Sequence, residues 1–254
     1  MLKWLQKRLT AWSPEHKKII RDFPGFEELV MSRTGDEDRQ GTVVGFYTKD
    51  SIYELEKNRL QRSLDILNLR YDLSEIENQQ SWVRNAGMKP SVLVKMREKH
   101  QGSLLYLDVD AVFHRNPWPL LLEQDCDLAV YFEPEGNLLS GTLFIGDTPA
   151  AKDILSVWDQ ACRDNPEEWD QRVLQKIIAD DQQSKSPRYR VERLPVSYCW
   201  VFDKINNEPE SVIYIEHLQA SREKKKRKRL FNRKGKGLTR RDDRIKEIEK
   251  VLFQ

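Results

Sequence analysis

The chain has 254 residues, 39% of them hydrophobic and 33% charged, with seven tryptophans and three cysteines. That is enough apolar material for one large α/β domain or two small ones, and the high charge argues for a soluble body. No apolar stretch approaches the ~18 residues a membrane span needs. The opening Met1–Arg8 lacks the long apolar core of a secretory leader. Cys126, Cys162 and Cys199 have no metal-like spacing; odd in number and scattered, they read as reduced core residues of a cytoplasmic protein.

The net charge of +2 hides an asymmetry. From Arg222 to Arg241, twelve Lys or Arg stand against one Glu, a net of +11, which leaves −9 for the rest. Such a block either binds polyanions by neutralising phosphates and releasing counterions, or is a solvated tail.

In chain order, Leu2, Leu5, Leu9 and Trp12 share a face of a short basic amphipathic helix, followed by a connector to Gln40. Residues 1–40 therefore read as an N-terminal helix and connector. Residues 41–48 predict a first buried strand, 51–67 a helix and 68–73 a second strand. Lys89-Pro90 opens a helix with proline in its first turn, and Val92, Leu93 and Met96 lie on one face. A strand over 104–110 is an apolar run that ends in two carboxylates, with further strands over 126–132 and 139–145. Thr148 caps a helix that has Pro149 at its first position, and another helix covers 169–178. Short late strands follow at 189–194 and 212–215. Strands alternating with helices predict a mainly parallel sheet built of βαβ units.

Residues 223–254 form a basic C-terminal extension, with helical composition from Glu247 to Leu252. The last four residues, Val251 to Gln254, match the remnant that a 3C-type protease leaves after tag removal. Lys250 is not the glutamate that usually precedes it, so a natural origin stays open, and the four are set aside from the fold reading.

Three D-x-D patterns occur. Asp36-Glu37-Asp38 sits in a polar loop, and Asp125-Cys126-Asp127 opens a strand. Only Asp108-Val109-Asp110 closes one, at the strand end where open α/β sheets bind ligands. Paired carboxylates there suit a hard divalent cation that also takes phosphate oxygens.

Together these pieces resemble the GT-A fold of nucleotide-diphospho-sugar glycosyltransferases over residues 41–222. The resemblance rests on Phe46-Tyr47-Thr48, Lys89-Pro90, Asp108-Val109-Asp110, Leu139-Ser140-Gly141, Trp169-Asp170-Gln171 and His217-Leu218-Gln219-Ala220-Ser221-Arg222, in that order. Leu139 departs from the asparagine usual in the family. The resemblance implies a Rossmann-like mixed sheet flanked by helices, and a metal-dependent enzyme moving a sugar from a nucleotide-diphosphate donor, UDP by analogy, to a hydroxyl. It implies that Tyr47 and Thr48 meet the nucleoside. Asp108, Asp110 and His217 would hold Mn2+ or Mg2+, with Asp108 reaching either ribose or metal. Lys89 would steer phosphate or pair on the helix surface, and Arg222 would clamp the phosphates or begin the basic tail. Asp170 and Gln171 would lie at the sugar. The family leans toward retention of anomeric configuration.

The acceptor stays open. A basic block just after His217 favours nucleic acid, such as a modified base in DNA flipped out to reach the sugar. The same block with the Trp4/Trp12 helix would alternatively hold a membrane surface, with a glycan, lipid-linked or protein acceptor. A non-catalytic nucleic-acid-binding protein on an inactive scaffold is the third reading.

Overall fold

The computed structural model describes residues 41–203, 213–222 and 236–253. The expected N-terminal helix and connector, Asp36-Glu37-Asp38 and most of the basic block lie outside the described residues. β1 (Thr42–Thr48) leads to α1 (Tyr53–Ile66), β2 (Tyr71–Ile76), the short α2 (Trp82–Gly87) and α3 (Lys89–Lys99). Next come β3 (Leu104–Leu107), β4 (Ala111–Phe113), one-turn α4 (Trp118–Leu121), β5 (Leu128–Phe132) and β6 (Leu138–Ile145). α5 (Pro149–Asp164), α6 (Asp170–Gln182), β7 (Val191–Arg193), β8 (Trp200–Val201), β9 (Ile215–His217) and α7 (Lys236–Leu252) complete the chain.

The main sheet has the order β2-β1-β3-β6-β5-β7. β1 runs parallel to β2 and β3, and β7 runs parallel to β5; β6 is antiparallel between β3 and β5. Five strands thus share one direction and β6 opposes them, so the sheet is mixed and mainly parallel. β4, β9 and β8 form a second, small sheet.

The uniformly apolar β3 follows from burial on both faces. Leu105 and Leu107 face one core, shared with Leu60 and Leu64 of α1 and with Ile248 and Leu252 of α7. Leu104 and Tyr106 face the other, with Leu93 of α3, Leu155 and Trp158 of α5, and Leu174 of α6. α5 starts as the sequence predicts: Thr148 Oγ1 accepts from Ala151 N at 3.0 Å, with Pro149 in the first turn.

Three expectations shift. The strand expected over 104–110 stops at Leu107, because β4 leaves the main sheet to pair with β9. Asp108-Val109-Asp110 is the turn between them, closed by Ala111 N donating to Asp108 O at 3.1 Å. The second strand begins at Tyr71, because Asn68 at φ 52 belongs to the left-handed end of α1. The last strand runs Ile215–His217, with Ile213 and Tyr214 before it; Val212 of the expected strand lies outside the described residues. All three cysteines are free and buried, and burial pushes the Cys126 thiol up to about 11 and the Cys162 thiol up to about 12. Leu252, set aside in reading the sequence, is fully buried, and its carbonyl accepts from Arg62 Nε at 2.7 Å. α7 is therefore part of the body.

Candidate active site

A cleft of about 340 Å³ opens where β1 and β3 end, and Tyr47, Thr48, Asp108, Asp110, Asp170 and Gln171 are among its lining residues. At its floor sits Lys89, the first residue of α3, only 4% exposed. Its Nζ donates to Ser140 O at 3.0 Å and Ser140 Oγ at 2.9 Å. The same nitrogen lies 3.2 Å from Asp108 Oδ1 and 3.1 Å from Asp170 Oδ2. Burial works against its charge, but the two carboxylates outweigh burial and hold Lys89 above its ordinary value. Two more hydrogen bonds close the network: Ser140 Oγ donates to Asp170 Oδ2 at 3.0 Å, and Tyr106 OH donates to Asp108 Oδ1 at 2.7 Å. Burial and the Asp108 carboxylate push the Tyr106 phenol well up, so it stays a donor. Lys89 is thus not paired on the helix surface as one expectation had it; it ties the end of β3 to β6 and α6.

Asp110 occupies the other wall. Its Oδ2 accepts from Ala220 N at 2.7 Å, and its backbone carbonyl accepts from Leu218 N at 2.8 Å. Its Oδ1 lies 3.8 Å from His217 Nδ1. Thr142 Oγ1 donates to Tyr198 O at 2.8 Å and lies 2.8 Å from His217 Nε2, so it accepts the Nε2 proton there. Nδ1 is then the nitrogen turned toward Asp110. Burial works against protonation of His217, but Cys199 and Asp110 outweigh it and raise the imidazole to about 10. Burial acts to raise Asp110, yet the His217 hydrogen bond and charge and the Ala220 N–H hold it below the usual carboxylate range.

Asp108 and Asp110 therefore line one end of the cleft, and His217 lies buried behind Asp110. Asp108 Oδ1 is turned to Lys89 and Tyr106, and among the described residues no three His, Cys, Asp or Glu side chains yet gather into a ready ion site. Gly141 keeps the space between them open. A Cβ there would lie 3.4 Å from both Asp108 Oδ2 and His217 Nδ1, and 3.1 Å from His217 Cε1. Two carboxylates and an imidazole nitrogen around such a gap suit Mn2+ or Mg2+ chemically.

Tyr47 lines the cleft half-buried, with its hydroxyl 3.4 Å from Glu75 Oε2 and Lys57 Nζ 5.5 Å from its ring centroid. Thr48 is buried beside it, its hydroxyl 2.8 Å from Ser51 Oγ. Asp170 and Gln171 are the first two residues of α6. Arg222 is placed elsewhere. It grips Asp203 bidentately at 2.6 and 2.7 Å, its guanidinium 5.0 Å from the Phe202 ring centroid, and Ser221 lines the cleft instead. Sequence reasoning missed Tyr53, Trp82 and Asn85, which also line the cleft. Gln219 lines it at φ 56, an uncommon conformation for a residue with a side chain. His114, just past the D-x-D turn, sits 2.7 Å from Glu216 Oε2 and takes no part in the cleft lining.

A carboxylate-rich cleft at the strand ends of a Rossmann-like mixed sheet defines a GT-A-type, nucleotide-dependent transferase. The profile of the nucleotide-diphospho-sugar transferase family matches residues 49–230, and the chain belongs to that family. It is accordingly a glycosyltransferase that takes its sugar from a nucleotide-diphospho-sugar. No curated protein matches the sequence. Among solved structures it is similar to a glycosyltransferase involved in the glycosylation of the major capsid of PBCV-1, at 14% identity and a TM-score of 0.53, over 70% of this chain and 92% of that one. It is also similar to apo GlyE of Streptococcus pneumoniae TIGR4, at 16% identity and a TM-score of 0.50, over 71% of this chain and 54% of that one. At these identities the likeness shows the shared fold. No described helix is long and apolar enough to cross a membrane.

Proposed function

We propose that this glycosyltransferase moves a hexosyl group from a UDP-type donor to a hydroxyl acceptor with the help of Mn2+ or Mg2+. The observation that carries the reading is the convergence of Asp108, Asp170 and Ser140 on buried Lys89, beside the Asp110/His217 pair, in one cleft. The leaving nucleoside diphosphate gains negative charge, so the site must offer positive charge where that charge develops. Asp108, Asp110 and His217 would hold the cation, which supplies Lewis-acid stabilisation of the diphosphate. Asp110 is the firmest of the three, fixed by two backbone N–H groups from the segment after β9.

Tyr47 and Thr48 meet the nucleoside at the end of β1. The sugar lies toward β6 and α6. Lys89 and Ser140 occupy Asp170 Oδ2, which leaves Oδ1 to accept from a sugar or acceptor hydroxyl. Gln171 follows on the same helix turn and presents its amide to the same space. Of the described arginines of the basic block, Arg222 is held by Asp203 and Arg241 by Glu56, while Arg240 stays exposed, 3.8 Å from Asp203. That takes two of the twelve cations away from a DNA acceptor, whose basis is the rest of the block.

The test is acceptor-free hydrolysis of a panel of nucleotide sugars by wild type and Asp110→Ala, with and without Mn2+. Metal-dependent release of one nucleoside diphosphate, lost in the variant, is the expected result. Turnover that ignores both metal and Asp110 would overturn the site.

A further inference from the structure

Two large aromatic side chains stay in water at the mouth of this cleft. Trp82 is 42% exposed and Trp169 is 40% exposed. Their rings meet edge to face, with centroids 5.7 Å apart and planes at 84°. Such a pair forms a corner: one indole presents its edge, and its own two faces are not used in the contact. Exposed tryptophan is costly in contact with water, and a rigid aromatic corner in a polar cleft is a usual mark of a binding site.

The corner is held in place from several sides. Trp82 opens α2, which packs against α3, α5 and α6. Tyr53 and Asn85 line the cleft beside it. Trp169 is the residue before α6, and its backbone leads directly into Asp170 and Gln171. Arg84 bridges the two segments by donating to Glu167 Oε1 at 3.0 and 2.7 Å. Arg172 stacks on Trp169 with its guanidinium carbon 4.8 Å from the ring centroid.

Position selects the occupant. β1, β3 and β6 are consecutive neighbours, so Tyr47 and Ser140 stand about two strand spacings apart, roughly 10 Å. A donor laid from Tyr47 across Asp108 brings its sugar to Ser140 and Asp170. Whatever accepts that sugar must come from the far side, where Trp169 stands one residue from Asp170. Charge narrows the chemistry: Arg84 is paired with Glu167 and Arg172 with Glu168, so the corner offers no excess positive charge to a phosphodiester chain. A pyranose ring has one face of C–H bonds that packs on an indole and a rim of hydroxyls for Gln171 and Asp170.

We infer that Trp82 and Trp169 form the acceptor subsite and that it takes the pyranose ring of a neutral saccharide. This rests on the transferase reading above and names its acceptor class. The experiment is saturation-transfer NMR of the full chain with cellotriose, maltotriose and methyl glycosides as probes, beside oligothymidylate. UDP binding is measured in parallel. Wild type is expected to bind at least one saccharide, with Trp82→Ala and Trp169→Ala each weakening it tenfold or more. Trp169→Phe, which keeps a ring and guards against misfolding, should stay within about threefold of wild type. Leu120→Ala, an exposed change on α4, should leave saccharide binding unchanged. UDP binding without any saccharide signal, or oligothymidylate binding that depends on both tryptophans, overturns the subsite and spares the donor reading. Saccharide binding that depends on both tryptophans without UDP binding supports the subsite and removes the donor reading.

Discussion

Glu216 offers a quantitative test of how the metal-side wall is held. It sits on β9 next to His217, fully enclosed, and Arg244 of α7 grips it with Nε and Nη2 at 2.8 Å each. His114 Nε2 adds a third contact at 2.7 Å. Burial acts to raise its pKa, but the Arg244 charge, with the His114 and Arg244 hydrogen bonds, outweighs burial and brings the carboxyl from 4.5 down to about 2. At about 1.4 kcal/mol per unit of pH, that difference is worth about 3 kcal/mol of folding free energy at neutral pH. Because the folded value lies below the unfolded one, the contribution is complete above about pH 5 and fades as pH falls toward 2. By about pH 3 less than half should remain, on the order of 1.4 kcal/mol. Glu216→Gln should therefore lose about 3 kcal/mol in urea unfolding at pH 7, and its gap to wild type should narrow on acidification. A loss at pH 7 below about 1 kcal/mol, or a gap that widens toward pH 3, would refute the assignment of this carboxylate as an ionised buried clamp.

Lys89→Met should strand Asp108 and Asp170 without their cation. We expect a loss of about 3–5 kcal/mol in chemical unfolding, and donor hydrolysis at least a hundredfold down in kcat. Gly141→Ala should fold, since the added methyl meets only side-chain atoms, yet weaken Mn2+ binding by about tenfold or more, read by calorimetry. Leu252→Ala removes a fully buried side chain near the end of α7 and should cost about 2–5 kcal/mol in the same unfolding assay. An unchanged midpoint would show that α7 does not support the core.

Much of this is legible in the sequence, for identifiable reasons. β1, β3, β5 and β6 are apolar runs because the sheet is covered on both faces, and α5 announces itself through Thr148 and Pro149. Asp108, Asp110, Asp170, Gln171 and Tyr47 stand at strand ends and helix starts, and they do meet in one cleft. What stays hidden depends on contacts between distant segments. A lysine opening a helix gives no local sign that four oxygen partners surround it. α2 lacks the length for a periodic pattern, so the sequence cannot place Trp82 opposite Trp169, 87 positions away. Arg222 reads as a phosphate clamp or as the start of the basic tail because Asp203, nineteen positions earlier, cannot be seen beside it.

The basic segment is the case where reading charge without partners misleads most. Twelve cations in a row of twenty invite a polyanion. Yet Arg241 is 1% exposed, donates through Nε to Leu218 O at 2.7 Å and pairs with Glu56. Leu218 follows His217 directly, and its own N–H binds the carbonyl of Asp110. Three residues further along α7, Arg244 neutralises Glu216 on the other side of His217. The helix after the basic run thus fixes the backbone on both flanks of the histidine and, through it, the position of Asp110. Part of the positive charge that the sequence assigns to an outside partner is satisfied inside, against acidic residues of the −9 body. An active site built on β9 cannot be separated from α7, and truncating the chain after residue 222 would remove the clamp along with the tail.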